Sequence, residues 1–201
     1  MSSRIFTVPN FLTVIRMVLV PVFVTMLYYQ RFGWALAIFV FAGLTDGIDG
    51  FLARRFNQKS QLGTILDPIA DKLLLVTSFI TLSLASIVGR GEHLPVPFWV
   101  TAAVISRDVF IVVGAAAINV VTGFRGFRPS LLGKVNTVVQ ITAIVIILAL
   151  ARFPMFRGYI LPTLYVIVFA SALFSGVHYI FHVSHIMNEG KTDREDSADE
   201  R

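Results

Sequence analysis

Four aspartates with regular spacing are the residues of this sequence best suited to chemistry. Asp46 and Asp49 lie in one apolar segment, and Asp67 and Asp71 lie in the next, after a short polar break. Spacings of three and four residues place side chains on one face of a helix, so each pair shares a face. A short break predicts that the two helices are antiparallel neighbours. All four carboxylates are therefore expected to converge at one depth.

These carboxylates need compensation if they lie within a membrane. An ionised carboxylate at the bilayer centre costs about 2.5–3.5 kcal/mol, and four like charges in close range also repel one another. An oxygen-only ligand set without His or Cys suits Mg²⁺ or Mn²⁺, which keep coordination positions open for phosphate oxygens. The expected ligand is an anionic phosphate compound, with Arg54 and Lys72 as candidate partners for that phosphate. The alternative to a metal site is that the aspartates are solvated carboxylates paired with nearby cations. This alternative explains a single aspartate more easily than four aspartates in register.

The composition determines where this chemistry takes place. Of 201 residues, 56% are hydrophobic and only 14% are charged, which indicates an integral membrane protein. About 20 apolar residues cross a bilayer. Six apolar stretches are long enough, namely 11–30, 34–53, 62–88, 95–120, 131–151 and 159–187. The sequence therefore predicts an all-α bundle of six transmembrane helices, with a polar metal-binding cavity at its cytoplasmic side.

Charge is distributed unevenly along the chain. The tail at 188–201 has six acidic and three basic residues, whereas 1–187 has fourteen basic and six acidic residues. We therefore expect a membrane domain at 1–187 and a disordered charged tail at 188–201. An excess of Lys and Arg in a membrane protein concerns topology and anionic lipids, so nucleic acid is not an expected partner. The basic residues of the second and fourth breaks predict that both termini are cytoplasmic, in a cell inner membrane.

The aspartates belong to a longer motif that resembles a known signature. The chain reads Asp46-x2-Asp49-Gly50-x2-Ala53-Arg54-x8-Gly63-x3-Asp67-x3-Asp71, which is similar to the signature of the CDP-alcohol phosphatidyltransferase family. The resemblance extends over three further segments, Pro9 to Arg16, Ile105 to Asp108 and Gly133 to Gln140. It implies a six-helix membrane enzyme, commonly a homodimer. That enzyme would transfer a phosphatidyl group from CDP-diacylglycerol to an alcohol and release CMP.

The resemblance also implies roles for individual residues. Asp46, Asp49 and Asp67 match ligands of one or two Mg²⁺ or Mn²⁺ ions at the pyrophosphate, and Asp71 matches the fourth ligand or the general base. Family positions that hold the cytidine diphosphate correspond to Gly50, Ala53 and Arg54. These roles are chemically consistent, because a metal ion stabilises the leaving CMP while a carboxylate takes the acceptor proton.

The resemblance implies an acceptor alcohol of the glycerol type, and two branches of the family fit. Phosphatidylglycerophosphate synthases use glycerol 3-phosphate, and the cardiolipin synthases of this fold use phosphatidylglycerol. The former carry two further cations where this chain has Ala115 and Asn136. A phosphomonoester dianion needs more positive charge than a neutral headgroup, so phosphatidylglycerol is slightly favoured. Candidate acceptor-binding residues, which would also serve glycerol 3-phosphate, are Arg107, Asp108, Lys134, Arg125 and Arg128.

Two other functional classes also use intramembrane aspartates. An ion-coupled transporter predicts discontinuous helices and internal repeats, and neither is evident in the sequence. A membrane prenyltransferase also holds a diphosphate with aspartates and Mg²⁺, but its aspartate spacing differs from the spacing here.

Two smaller features accompany the aspartate motif. His178, His182 and His185 fall at helical spacing, and contacts with headgroups or neighbouring helices explain them better than a metal site does. Gly114, which precedes three alanines, predicts close helix packing within the bundle or between subunits.

Overall fold

Seven α-helices make up the described part of the chain. The structure is a computed structural model that describes the backbone of residues 8–56, 61–89, 94–122, 131–152 and 156–199. Side chains are described for 11–45, 69–89, 94–114, 131–151 and 156–181. The helices are α1 (Val8–Tyr28), α2 (Phe32–Phe56), α3 (Gln61–Ser83), α4 (Ala85–Val88), α5 (Phe98–Thr122), α6 (Leu131–Arg152) and α7 (Arg157–Asp199).

Each apolar stretch of the sequence coincides with a helix, with two differences in detail. The third stretch is divided at Leu84, whose extended backbone (φ −89°, ψ 109°) separates α3 from the single turn of α4. At the other end of the chain, α7 continues through 188–199, where the composition predicts disorder. Extending an existing helix requires no new nucleation, and Lys191 and Glu195 have the spacing of an i,i+4 ion pair.

Three of these helices are long and apolar enough to cross a membrane, judged over the described residues. They are Phe11–Tyr28 of α1, Leu131–Ala151 of α6 and Arg157–Phe181 of α7, and Phe32–Thr45 of α2 is a shorter apolar segment. Both α3 and α5 carry charged residues within their length, at Asp71 and Lys72 and at Arg107 and Asp108. The prediction of an all-α protein is confirmed, and three of its helices are candidate membrane spans by length and composition. Six spans remain a prediction.

The six long helices are neighbours in a closed cycle. α1 packs against α2 and α3, α2 packs against α6, and α6 packs against α7. α7 in turn packs against α5, and α5 packs against α3. α3 and α6 also touch each other. Helices that are distant in sequence, such as α3 and α6, are therefore brought to the same interior.

Buried residues divide this interior into an apolar end and a polar end. The apolar end contains Phe23, Leu27, Phe39, Phe79 and Ile147, all almost inaccessible to solvent. The side chains of the polar end come from the first half of α1, α5 and α6, from just past the middle of α2 and from near the middle of α7. Its buried polar residues are Thr13, Arg16, Thr45, Arg107, Asp108, Asn136, Gln140 and Ser175. A functional site is expected at this end, because buried charges and amides are costly unless they are paired or used.

Candidate active site

Asp71, the fourth aspartate of the motif, is paired with an arginine from another helix. The Nη1 group of Arg16 on α1 donates a hydrogen bond to Oδ1 of Asp71 on α3. Arg16 is only 1% exposed, whereas the Asp71 side chain is 40% exposed. A buried guanidinium without a counter-charge would cost several kcal/mol, so the carboxylate stabilises the buried Arg16. In return, Arg16 restricts the orientation of the half-exposed carboxylate.

A second group of charges lies next to Asp71 along α3. The Nζ of Lys72 donates to Oδ2 of Asp108 on α5 at 2.7 Å, and Nη1 of Arg107 donates to Oδ1 of the same carboxylate at 2.7 Å. Arg107 and Asp108 are 7% and 9% exposed. Two further donors of Arg107, Nε and Nη2, bond to Oγ of Ser175 on α7 at 3.2 and 2.6 Å. One buried carboxylate thus pairs with two cations, which leaves this group one positive charge in excess.

The polar end continues onto α6 through uncharged groups. The Oγ of Ser171, one helical turn before Ser175 on α7, donates to Oδ1 of Asn136 at 2.9 Å. Asn136 is 1% exposed and Gln140 is fully buried. Within the described part of the chain, Nδ2 of Asn136 and both amide atoms of Gln140 have no hydrogen-bond partner. Each such unpaired group costs about 1–3 kcal/mol.

The structure places the remaining predicted site residues less completely. Asp46, Asp49, Gly50, Ala53 and Arg54 all lie on α2. Asp67 lies on α3, one turn before Asp71. These elements are continuous helices, so the predicted sharing of faces follows from their helical spacing. The side chains of these six residues lie outside those described.

The structure describes some of the predicted loop cations and histidines. Lys134 is exposed near the start of α6, and Arg125 and Arg128 lie outside the described residues. His178 lies on α7, and the side chains of His182 and His185 are not among those described. Among the described side chains, no three His, Cys, Asp or Glu residues form a metal-binding group.

Oxygen ligands for a divalent ion fit the part of this site that the structure describes. The Asp71 carboxylate is half-exposed at the polar end of the interior, and Asp67 is one helical turn away on the same helix. A helix with carboxylates at this spacing presents hard oxygen donors on one face, which Mg²⁺ and Mn²⁺ prefer.

Spacing alone did not identify several residues of this site. Arg16 could have been found as the single charge in an otherwise apolar stretch, which is a functional signal in a membrane helix. Asn136 and Gln140 lay within a segment of the resemblance but received no binding role. Ser171 and Ser175 gave no signal, since serines in apolar helices usually bond to their own backbone.

The sequence of this chain is similar to a family of known proteins. Residues 6–183 match the model of the CDP-alcohol phosphatidyltransferase family. The chain is 34% identical over 195 residues to the CDP-diacylglycerol–glycerol-3-phosphate 3-phosphatidyltransferase of Blochmanniella floridana. This alignment covers 93% of this chain and 96% of that protein. It is 36% identical over 150 residues to the Salmonella paratyphi A enzyme of the same name, covering 69% of this chain and 75% of that enzyme.

A relative with a different name has a similar identity over a shorter alignment. Human cardiolipin synthase (CMP-forming) is 35% identical over 159 residues, which cover 71% of this chain and 50% of the human protein. The first name specifies phosphatidyl transfer to glycerol 3-phosphate, and the second specifies the synthesis of cardiolipin with formation of CMP. The family suggested by the aspartate motif is confirmed, and the chain is a phosphatidyltransferase by family. This protein belongs to the CDP-alcohol phosphatidyltransferase family.

Proposed function

We propose that this protein transfers a phosphatidyl group from CDP-diacylglycerol to phosphatidylglycerol, forming cardiolipin and releasing CMP. The observation that carries the choice of acceptor is that Arg16, Lys72 and Arg107 each already bond to a carboxylate. Lys72 and Arg107 are both bonded to Asp108, and Arg16 is bonded to Asp71. The other buried polar side chains among the described residues are amides and hydroxyls. A neutral glycerol headgroup suits such a site better than a phosphomonoester dianion, which needs unpaired cations.

The reaction requires a proton acceptor beside the attacking hydroxyl. The acceptor oxygen forms a bond to the phosphatidyl phosphorus, and the bond from that phosphorus to the CMP oxygen breaks. The hydroxyl proton passes to a carboxylate, for which Asp71 is our candidate because its side chain is half-exposed at the polar end. Arg16 orients this carboxylate. A buried guanidinium contact fixes the base in a single direction, which favours a reactive geometry.

We assign the donor substrate to the aspartate motif. Asp46, Asp49 and Asp67 would hold Mg²⁺ or Mn²⁺, with Asp71 as the base beside them, and Gly50, Ala53 and Arg54 would hold the cytidine diphosphate. The metal ion would supply charge stabilisation for the pyrophosphate and the leaving CMP. Support comes from the family match and from the helical placement of these residues on α2 and α3.

Glycerol 3-phosphate is the second candidate acceptor. The relative from Blochmanniella floridana, whose name specifies this acceptor, aligns over nearly its whole length. Lys134 is exposed near the start of α6 and is a candidate partner for a phosphate, as are Arg125 and Arg128. Asp108 has a different proposed role, because a carboxylate with two cationic partners orients those cations and does not itself bind a phosphate.

The proposed function includes an arrangement of the protein in the membrane. Six transmembrane helices would enclose a metal-binding cavity at the cytoplasmic side of the inner membrane, with both termini in the cytoplasm. Residues 1–187 would form the membrane domain and 188–201 its appendage, in a homodimer. The closed cycle of helix neighbours supports the bundle, and the polar end supports the position of the cavity.

A product assay tests the proposed function. Purified protein in detergent receives CDP-diacylglycerol and Mg²⁺ or Mn²⁺, together with either phosphatidylglycerol or glycerol 3-phosphate, and the lipid products are identified by mass. We expect cardiolipin and CMP, both lost on addition of a chelator. Phosphatidylglycerophosphate as the main product would select the second candidate. If neither phosphatidylglycerol nor glycerol 3-phosphate supports CMP release, a glycerol-type acceptor is rejected.

A further inference from the structure

Two buried amides on α6 have unused hydrogen-bonding capacity. Gln140 is fully buried, and neither Oε1 nor Nε2 has a partner among the described residues. Asn136, one turn earlier, is 1% exposed, and only its Oδ1 is engaged, by Ser171. Their side chains share one face of α6, so two NH₂ groups and one carbonyl oxygen are available side by side.

The described residues around these amides do not supply the missing partners. Further along the same face of α6 come Ala143, Ile144 and Ile147, which are fully buried and apolar. Backbone groups within the neighbouring helices are already bonded within those helices. Buried amides in native proteins nearly always have a hydrogen-bond partner. Two neighbouring amides without one therefore indicate that a bound molecule supplies their hydrogen bonds.

The position of the amides relates them to the reaction site. Ser171 and Ser175 lie one turn apart on α7, where Ser171 bonds to Asn136 and Ser175 bonds to Arg107. Arg107 shares Asp108 with Lys72, the residue next to Asp71 on α3. α6 also packs directly against α2 and α3, the helices of the aspartate motif. The two amides therefore border the same polar end as the proposed base.

The geometry points to a hydroxyl-binding site formed by Asn136 and Gln140, which takes the non-reacting secondary hydroxyl of the acceptor's glycerol group. A hydroxyl both donates and accepts, so it can satisfy Oε1 or Nε2 of Gln140 and Nδ2 of Asn136 together. Uncharged amides do not select a phosphate or a carboxylate. This inference rests on the proposed function, and the same glycerol chemistry is present in phosphatidylglycerol and in glycerol 3-phosphate.

Acceptors without the secondary hydroxyl provide the test. Phosphatidylglycerol is compared with a phospholipid that has a propane-1,3-diol headgroup, and glycerol 3-phosphate is compared with 3-hydroxypropyl phosphate. Each analogue retains the reacting primary hydroxyl. The wild-type protein should prefer the natural member of whichever pair it uses by roughly tenfold or more in kcat/KM, because the analogue leaves buried amides unpaired. Gln140→Met and Asn136→Leu should each reduce this preference to about twofold or less.

A structural role for the amides predicts different results. Thr101→Val is the matched control, since it also removes a buried polar group but lies on α5, where Thr101 bonds to the Phe79 carbonyl oxygen. It should retain the wild-type preference. The KM for CDP-diacylglycerol should stay within about twofold of the wild-type value in both α6 variants, because the acceptor contact alone is removed. Gln140→Leu, which also removes both polar atoms of the amide, replaces Gln140→Met if the latter does not fold.

The outcomes separate this inference from the proposed function. An unchanged preference in folded Gln140 and Asn136 variants would overturn the hydroxyl site and assign the amides to bound water. A wild-type protein that transfers to both members of a pair equally well would overturn it too, while leaving the transfer reaction established. A wild-type protein that transfers to neither glycerol acceptor would overturn both.

Discussion

Arg16 of α1 and Asp71 of α3 are joined by a hydrogen-bonded ion pair although they are 55 positions apart in the sequence. The arginine is buried and the aspartate is half-exposed, so the pair lies at the boundary between the packed interior and the polar end of the bundle. The contact ties the first helix of the chain to the proposed base. Arg16 is thus a positioning residue, because it acts on the reaction through Asp71.

Replacing Arg16 is expected to reduce transfer more than it reduces folding. In Arg16→Gln the Asp71 carboxylate loses its oriented partner, and we expect kcat to fall by about 10–100-fold, since misplaced catalytic groups cost that much. The half-exposed carboxylate can be solvated, so the loss of stability should be limited to about 1–3 kcal/mol. Rates of CMP release and thermal unfolding in detergent measure the two effects.

Arg16→Lys is the conservative control for this prediction. It retains the charge without the planar guanidinium and should recover part of the activity. A kcat in Arg16→Gln equal to that of the wild type would show that the ion pair is not used in the reaction.

Asp108 is expected to control the choice between a neutral and a charged acceptor. Its carboxylate binds both Lys72 and Arg107, at 2.7 Å in each case. In Asp108→Asn the carboxylate charge is removed and the shape is kept, so both cations become available to a phosphate. We expect the ratio of kcat/KM for glycerol 3-phosphate to that for phosphatidylglycerol to rise by about tenfold, which parallel kinetics with both acceptors would measure.

Ser175→Ala separates charge from packing at the same place. It removes an uncharged partner of Arg107 and leaves both ion pairs of Asp108 intact. This variant should lose about 1 kcal/mol of stability without a change in acceptor preference. If Asp108→Asn and Ser175→Ala shift the preference alike, the charge of Asp108 does not set the acceptor.

The aspartate motif and the helices could be predicted because both depend on local spacing. Apolar runs of sufficient length specify helices, and residues three and four apart share a face in any continuous helix. The spacing of Asp67 and Asp71 on α3 follows from that rule alone. The family likewise follows from the motif, because its residues all lie within the short segment 46–71.

The pairing of side chains between helices could not be predicted from the sequence. Lys72 was expected to meet a phosphate because it follows Asp71, yet the structure pairs it with Asp108 of α5. That partner depends on how α3 and α5 pack, which local spacing does not specify. The burial of Gln140 was equally inaccessible, since a single glutamine in an apolar helix can face lipid, water or the interior.

The division of roles between Asp67 and Asp71 leads to distinct binding and transfer phenotypes. Asp71→Asn should retain metal-dependent nucleotide binding while transfer falls by about 100-fold or more, because the proton acceptor is lost. Asp67→Ala should lose metal-dependent binding of the cytidine nucleotide, because a metal ligand is removed. Equilibrium binding of CDP with and without Mg²⁺, measured beside CMP release, distinguishes the two. Full transfer activity in Asp71→Asn would remove it as the base, and unchanged CDP affinity in Asp67→Ala would reject the metal assignment.

Gly114 is expected to be required for the close packing of α5 against α7. A Cβ placed at Gly114 would lie 3.0 Å from Cε1 of Tyr179, whereas a Cβ at Gly43 on α2 would meet nothing within 4 Å. Gly43→Ala should stabilise the protein by about 0.5–1 kcal/mol through helix propensity. In Gly114→Ala the same gain is opposed by displacement of the Tyr179 ring, which costs about 1–3 kcal/mol. The free energy of unfolding, measured in mixed detergent, should therefore be higher for Gly43→Ala than for the wild type and lower for Gly114→Ala. Equal stabilisation by both substitutions would mean that the Tyr179 ring moves aside at no cost, and that α5 and α7 do not require a glycine where they meet.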